Sequence, residues 1–235
     1  MGLVAAVTTL PVAEVFGPTW QGEGPYAGVR TGFVRLGRCN LSCSWCDTPY
    51  TWDASRYDVA KEAPDTPLDE VHAALVRQDV DTVCLSGGEP LLHHQRLAGL
   101  LSPLWQWHVE TNGTIAPPSY WRDLVAHTSV SPKVTTGDPA KKRLKWPVLE
   151  QWNTLANEGL AAFKFVARVP ADLDLVAQVV DRVGIDRRHV WVMPEGTVAP
   201  QLLARHRRLA GPIEDRGWNT TTRLHSLLWG QERGR

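Results

Sequence analysis

Three of the chain's four cysteines, Cys39, Cys43 and Cys46, stand within eight residues, at spacings that let three thiolates share one metal centre. Structural zinc takes four protein ligands, and iron-sulfur clusters are normally held by four Cys. A three-Cys group therefore either borrows a ligand from a His or a distant Cys, giving a closed zinc site, or leaves one position open for a small molecule. A disulfide pair fits less well, because it uses two of the three thiols and strands the other.

The rest of the composition narrows the setting for that chemistry. A chain of 235 residues can bury one sizeable core. With 25 basic and 25 acidic residues it has no global basic field to draw in nucleic acid or an anionic membrane, so a small-molecule partner is expected. The opening Met1 to Val7 lacks the charged start of a signal peptide, and no apolar run approaches the roughly 18 residues of a membrane span. These features predict a cytoplasmic protein with reduced thiols, which suits a cluster and argues against structural disulfides. Most of the eleven Trp are expected to be core or interface anchors.

The elements that must position the cysteines follow from residue pattern. A strand is expected over Val12 to Phe16, then a Gly- and Pro-rich loop from Gly17 to Pro25. Arg30 to Leu36 reads as a first core strand that ends at Gly37 and feeds the cysteine loop. After an irregular stretch from Tyr50 to Pro67, Leu68, Val71 and Leu75 recur at helical spacing with acids in the first turn. Thr82 to Leu85 is a short apolar run of the buried parallel type, ending in Ser86-Gly87-Gly88-Glu89-Pro90. Cys84 lies mid-strand, where a small buried residue is the better reading than a fourth ligand.

Trp107 to Gly113 and His127 to Lys133 repeat the pattern of a short strand ending in polar residues. A basic loop at Lys141, Lys142, Arg143 and Lys145 reads as solvated rather than as a nucleic-acid patch. A helix from Val148 to Glu158, a strand from Ala162 to Val166, a helix from Leu173 to Val183, a strand from Val190 into Met193-Pro194-Glu195-Gly196 and a helix from Gln201 to Leu209 complete the pattern. About six strands separated by helices or long crossovers predict an α/β fold, a partial, open TIM-like barrel of parallel strands in one domain, with a C-terminal extension over 211–235. In such barrels the site lies at the carboxyl ends of the strands. The cysteine loop over 39–48, Gly87, Gly88, Glu89, Glu110, Ser131, Pro132, Lys133, Met193, Pro194 and Glu195 should therefore converge on one face.

Cys-x3-Cys-x2-Cys with Trp45 before the last Cys, followed by the Gly-Gly-Glu-Pro loop, resembles the radical S-adenosylmethionine (SAM) enzymes. The resemblance implies a 4Fe-4S cluster on Cys39, Cys43 and Cys46, with SAM on the open iron. It narrows further. Trp20-Gln21-Gly22-Glu23-Gly24, Phe33-Val34-Arg35-Leu36, Cys46-Asp47-Thr48, Ser86 to Pro90, Glu110-Thr111-Asn112-Gly113, Ser131-Pro132-Lys133 and Lys164-Phe165-Val166 occur in the order of the 7-carboxy-7-deazaguanine synthases. That family carries out a lyase-type ring contraction of 6-carboxy-5,6,7,8-tetrahydropterin, with loss of ammonia, on the route to queuosine and related deazapurines.

Mapped residue by residue, the resemblance implies SAM contacts from Trp45, Asp47, Gly87, Gly88, Glu89, Glu110, Ser131, Pro132, Lys133 and the Met193-Pro194-Glu195-Gly196 loop. It implies substrate contacts from Trp20, Gln21, Gly22, Glu23 and Ser86, with Arg35 as a fork for a carboxylate. Thr48 corresponds to a magnesium ligand, a hard oxygen suited to Mg2+. The family further implies an external one-electron reductant of flavodoxin or ferredoxin type and a homodimer. One departure stands out: some family members place substrate with their C-terminal carboxylate, whereas this chain extends through Arg223 to Arg235. His225 is a candidate polar contact there, with a core-facing His as its alternative. A glycyl-radical activating enzyme and a zinc-binding or electron-transfer module are the rival readings.

Overall fold

In a computed structural model, residues 8–135 and 138–235 are described. They form a nine-stranded sheet. Its strands are β1 (Thr9–Trp20), β2 (Arg30–Leu36), β3 (Asp65–Pro67), β4 (Thr82–Gly87), β5 (Gln106–Thr111), β6 (His127–Val130), β7 (Ala161–Ala167), β8 (Val190–Pro194) and β9 (Asn219–Thr220). The spatial order is β3-β1-β2-β4-β5-β6-β7-β8-β9, so the two ends of the sheet stay apart and the barrel is open. All pairings from β2 to β9 are parallel, while β1 runs antiparallel to both β2 and β3.

Side chains alternate across a strand, and here the alternation sorts chemistry. Val34 and Leu36, Val83 and Leu85, Trp107 and Val109, Phe163 and Phe165, and Val190 and Val192 all join the apolar core. Roughly 1.5–3 kcal/mol comes from fully burying each such side chain. Their neighbours in sequence, Arg35, Ser86, Glu110, Lys164 and Met193, line a cavity on the other face. The parallel order puts the carboxyl ends of β2, β4, β5, β6 and β8 on one side. Their loops are the expected ones.

Three expectations are corrected. The opening strand does not stop at Phe16 but continues through Gly17-Pro18 to Trp20. A register shift between Phe16 and Thr19 absorbs the pair, and β3 reaches only Thr9 to Pro11, so the proline's missing N–H deprives no strand on that side. The stretch from Tyr50 to Pro67 is less irregular than expected, holding a short helix over Val59–Glu62 and strand β3. Helices also extend past their expected bounds. The one expected from Leu173 starts at Pro170 and ends at left-handed Gly184. The one expected to end at Leu209 runs over Ala199–Glu214, with Leu209 and Ile213 buried.

Candidate active site

The cavity encloses about 670 Å3. Cys39, Cys43 and Cys46 all line it, half-buried and unpaired by disulfide. Two N–H groups already point at sulfur: the Leu41 amide donates to Cys39 Sγ at 3.4 Å and the Trp52 indole to Cys46 Sγ at 3.3 Å. Such bonds stabilise a thiolate or a cluster sulfur. Burial pushes the Cys39 thiol up to about 12 and the Cys43 thiol up as well, so these thiols need a bound cation to ionise at neutral pH. Among the described residues no three His, Cys, Asp or Glu converge as ligands of a single ion.

What fixes the cysteine loop is a set of backbone contacts and one buried carboxylate. Gly87 and Gly88 pack on the backbone leading into Cys39. The Gly88 amide donates to Leu36 O at 2.9 Å and the Glu89 amide to Arg38 O at 2.8 Å. A Cβ at Gly88 would lie 1.9 Å from Arg38 O, and Gly87 has φ +127°. Glu89 is fully buried. Its carboxylate accepts from Leu91 N at 3.1 Å, Thr111 Oγ1 at 2.8 Å and Asn112 N at 2.7 Å, tying the end of β4 to the end of β5. Asn112 then donates to Asn40 beside the first cysteine at 2.8 Å. On the far flank Asp138 accepts from Ser42 N at 2.7 Å and from Lys142 Nζ at 2.7 Å. The basic segment, in part a short helix over Ala140–Arg143, is thus stitched to the cysteine loop while Lys141, Lys142 and Lys145 stay exposed.

A second wall is ionic. Lys164 rises from the middle of β7, whose seven residues are all buried. Its ammonium pairs with Glu23 and, at 3.3 Å, with Glu110. Arg223 donates to Glu23 at 3.0 Å, to Gly196 O at 3.0 Å and to Asp47. Burial pushes Glu23 up, but Lys164, Arg223 and His225 outweigh it and hold the carboxyl below the usual range. Burial pulls Lys164 down, yet Glu110 and Glu23 hold it above its ordinary value. Asp47 is likewise depressed, with burial opposed by Arg223. His225 sits against Gly22, where a Cβ would lie 1.9 Å from the imidazole Nδ1, and its Nε2 is 4.0 Å from Glu23. Burial lowers its pKa. Beneath these groups Tyr26 packs on His108 and His127 at 4.2 and 4.7 Å between ring centroids. Burial takes His108 down to about 4 and His127 to about 3, so both are neutral.

The remaining expected residues fall as follows. Arg35 lines the cavity, with Glu14 3.5 Å from its Nε. Gln21 lines it too, its carboxamide accepting from Glu23 N at 3.2 Å and donating to Cys84 Sγ at 3.5 Å. Cys84 is fully buried, as expected, and is not part of the cysteine triad. Ser131 accepts from Lys133 Nζ at 2.8 Å, and that ammonium lies 5.6 Å from the Trp45 ring, whose indole donates to Thr135 O. Thr48 Oγ1 lies 3.7 Å from Cys46 Sγ. Trp20, Gly22, Ser86, Met193, Glu195 and Gly196 also line the cavity.

Glu89, Pro132 and Pro194 do not line the cavity. The Glu89 carboxylate is taken up by two backbone amides and the Thr111 hydroxyl, and the two prolines are buried. The residues missed at the sequence level are Lys164 as a site group, Arg223, Glu14 and Tyr50. A Lys inside the apolar run Ala161 to Ala167 is itself a signal, because a fully buried Lys needs a carboxylate. Arg223 carries no such signal. Its partners lie 200 and 176 residues away.

The Radical SAM superfamily profile matches residues 34–157, which hold the cysteine triad and the Gly-Gly loop. A 7-carboxy-7-deazaguanine synthase of Hyperthermus butylicus is 34% identical over 94% of this chain and 93% of its own length. The chain belongs to the 7-carboxy-7-deazaguanine synthase family of the radical SAM superfamily. Further members similar to it come from Halobacterium salinarum, 34% identical over 94% of this chain and 90% of the relative, and Bacillus subtilis, 30% identical over 96% and 98%. Among solved structures, the crystal structure of QueE from Escherichia coli aligns with a TM-score of 0.64 at 22% identity, covering 92% of this chain and 95% of that one. At that identity it speaks for the fold. Membership implies a 4Fe-4S cluster and SAM, and the half-buried thiols with N–H groups aimed at two of them fit such a cluster. No helix among the described residues is long and apolar enough to cross a membrane.

Proposed function

We propose that this chain converts 6-carboxy-5,6,7,8-tetrahydropterin to 7-carboxy-7-deazaguanine with loss of ammonia. The observation that carries the reading is one cavity lined both by the cysteine triad and by Gln21, Glu23, Arg35 and His225. Cys39, Cys43 and Cys46 would hold a cluster that binds SAM, and the two together would supply radical hydrogen-atom abstraction when bound. The chain's own residues do the rest by binding and orientation.

Gly87 and Gly88 let the end of β4 pack on the backbone that leads into Cys39, and both line the cavity with backbone that the methionine part of SAM can approach. Glu110, Ser131, Lys133 and the Met193 to Gly196 loop offer acceptors and donors along its length, with Trp45 and Asp47 beside the cysteines. Gln21, Glu23 and Ser86 present the mixed donors and acceptors that a pterin edge requires, and Arg35 presents a fork to its carboxylate. Glu23 stays ionised and His225 neutral at pH 7, so both can accept hydrogen bonds. Thr48 is the proposed protein ligand of a Mg2+ that otherwise keeps water and substrate oxygens. The hydroxyl already faces Cys46 Sγ. A homodimer, a flavodoxin- or ferredoxin-type electron donor, a single-domain chain and a cytoplasmic setting complete the proposal. Anaerobically reconstituted protein given SAM, Mg2+ and the tetrahydropterin should yield the deazapurine, read by product mass and ultraviolet spectrum. Deoxyadenosine without deazapurine would refute the substrate; neither product, with an intact cluster, would refute the reaction.

A further inference from the structure

In an open sheet the first and last strands do not meet, and something must cover the gap. The C-terminal segment does so. After the helix Leu224–Trp229, the Gln231 amide donates to Thr197 Oγ1 at 2.8 Å, in the loop after β8. Two residues on, Arg233 reaches β1 at the other end of the sheet, with Nε 2.9 Å and NH2 2.8 Å from Glu14 Oε1. Its guanidinium lies 4.0 Å from the Tyr50 ring and 3.5 Å from Glu62. Trp229 stacks on Trp20 at 5.5 Å, holding the start of the crossing. Gly230 to Arg235 line the cavity along this path.

Glu14 is the pivot. Its Oε1 also accepts from Tyr50 at 2.7 Å, while Oε2 faces Arg35 Nε at 3.5 Å, too far for a good hydrogen bond. Arg35 Nε and Glu14 Oε2 are both buried without a hydrogen-bond partner among the described residues. Two guanidiniums therefore flank Glu14: Arg233, which also has Glu62, and Arg35, whose Nε lacks an acceptor. A planar carboxylate from a ligand in the cavity would give Arg35 Nε its missing acceptor and stand within reach of the Arg233 fork, which lines the same cavity.

We propose that Arg233, carried by the C-terminal segment across the barrel's open side, is a specificity-determining residue that acts with Arg35 on the carboxylate of the ligand. This rests on the pterin reading above. The test is equilibrium dialysis of the reconstituted, SAM-loaded enzyme with 6-carboxypterin and with pterin lacking the carboxylate, both oxidised and unreactive. Wild type should prefer 6-carboxypterin. R233Q should weaken it by about tenfold, the scale of one charge-assisted hydrogen bond, and leave pterin unchanged. R233K, keeping charge but not the fork, should fall between them.

Thermal melts of each variant control for folding, and Arg233 is a half-exposed side chain. If R233Q weakens both ligands alike, or neither, the assignment is overturned. If wild type binds both pterins equally, the Arg pair has no carboxylate role while the pterin reading stands; if wild type binds neither, both fall.

Discussion

The cysteine wall and the ionic wall of the cavity solve opposite problems. Around Cys39 and Cys43 burial pushes thiols upward. Lys133 opposes that rise at Cys43 without reversing it, so this wall depends on a bound cation to hold its thiolates. Around Glu23, Lys164, Glu110 and Arg223 every charge already has a counter-charge within the fold. This wall is set before any ligand arrives. One cavity thus joins a wall that waits for a cofactor to a wall that is preorganised, and the two should fail differently when altered.

The largest effect should come from Cys43→Ala. The variant should fold, with an unfolding midpoint near wild type, yet bind iron poorly and form no product; iron analysis and product mass check it. A wild-type iron content would break the assignment of the cysteine wall. Lys164→Met should do the reverse, costing about 3–5 kcal/mol in denaturant titrations because it strips Glu110 of its cation and leaves Glu23 to Arg223 alone. A Lys164→Met, Glu23→Gln double variant should recover part of that loss.

The ionic wall should also show in the acid limb of stability. Glu23 is depressed below its ordinary 4.5, so its pairing is fully in place above that pH and is lost as pH falls through the lower folded value. Lys164 is raised above its ordinary 10.5, so its contribution is present below that pH and fades only as pH rises through the folded value. Glu23→Gln should therefore flatten unfolding free energy against pH below about 4.5, the ordinary value. An unchanged acid limb would mean that Glu23 is not held as described. Smallest of all, Cys84→Ala should cost about 1 kcal/mol for a small cavity and leave iron content at wild type. A drop in iron would move Cys84 from the core into the cluster's ligand set.

The cysteine wall was legible in the sequence because its parts are contiguous. The triad, the Gly-Gly loop and the polar strand ends each announce themselves within a few residues, and parallel order brings them together. The ionic wall was legible only in part. Glu23, Glu110 and Lys164 all lie in recognisable blocks, but nothing local places the Lys164 ammonium between the two carboxylates, and Arg223 comes from the far end of the chain. No local period encodes that meeting. Glu89 shows the converse limit. Its place in the Gly-Gly-Glu-Pro block suggested a ligand contact, whereas its carboxylate is consumed by backbone amides that the sequence could not position. The continuation of β1 through Gly17-Pro18 was hidden because the tolerance lies in where β3 stops.

The crossing of Gly230 to Arg235 along the cavity has a practical side. Whatever is fused after Arg235 begins at the rim of the cavity. A polyhistidine tag there would tether metal-binding imidazoles beside the cysteine loop, competing for iron during reconstitution and crowding the carboxylate site. Where an affinity handle is attached is therefore a chemical variable in any assay of this protein.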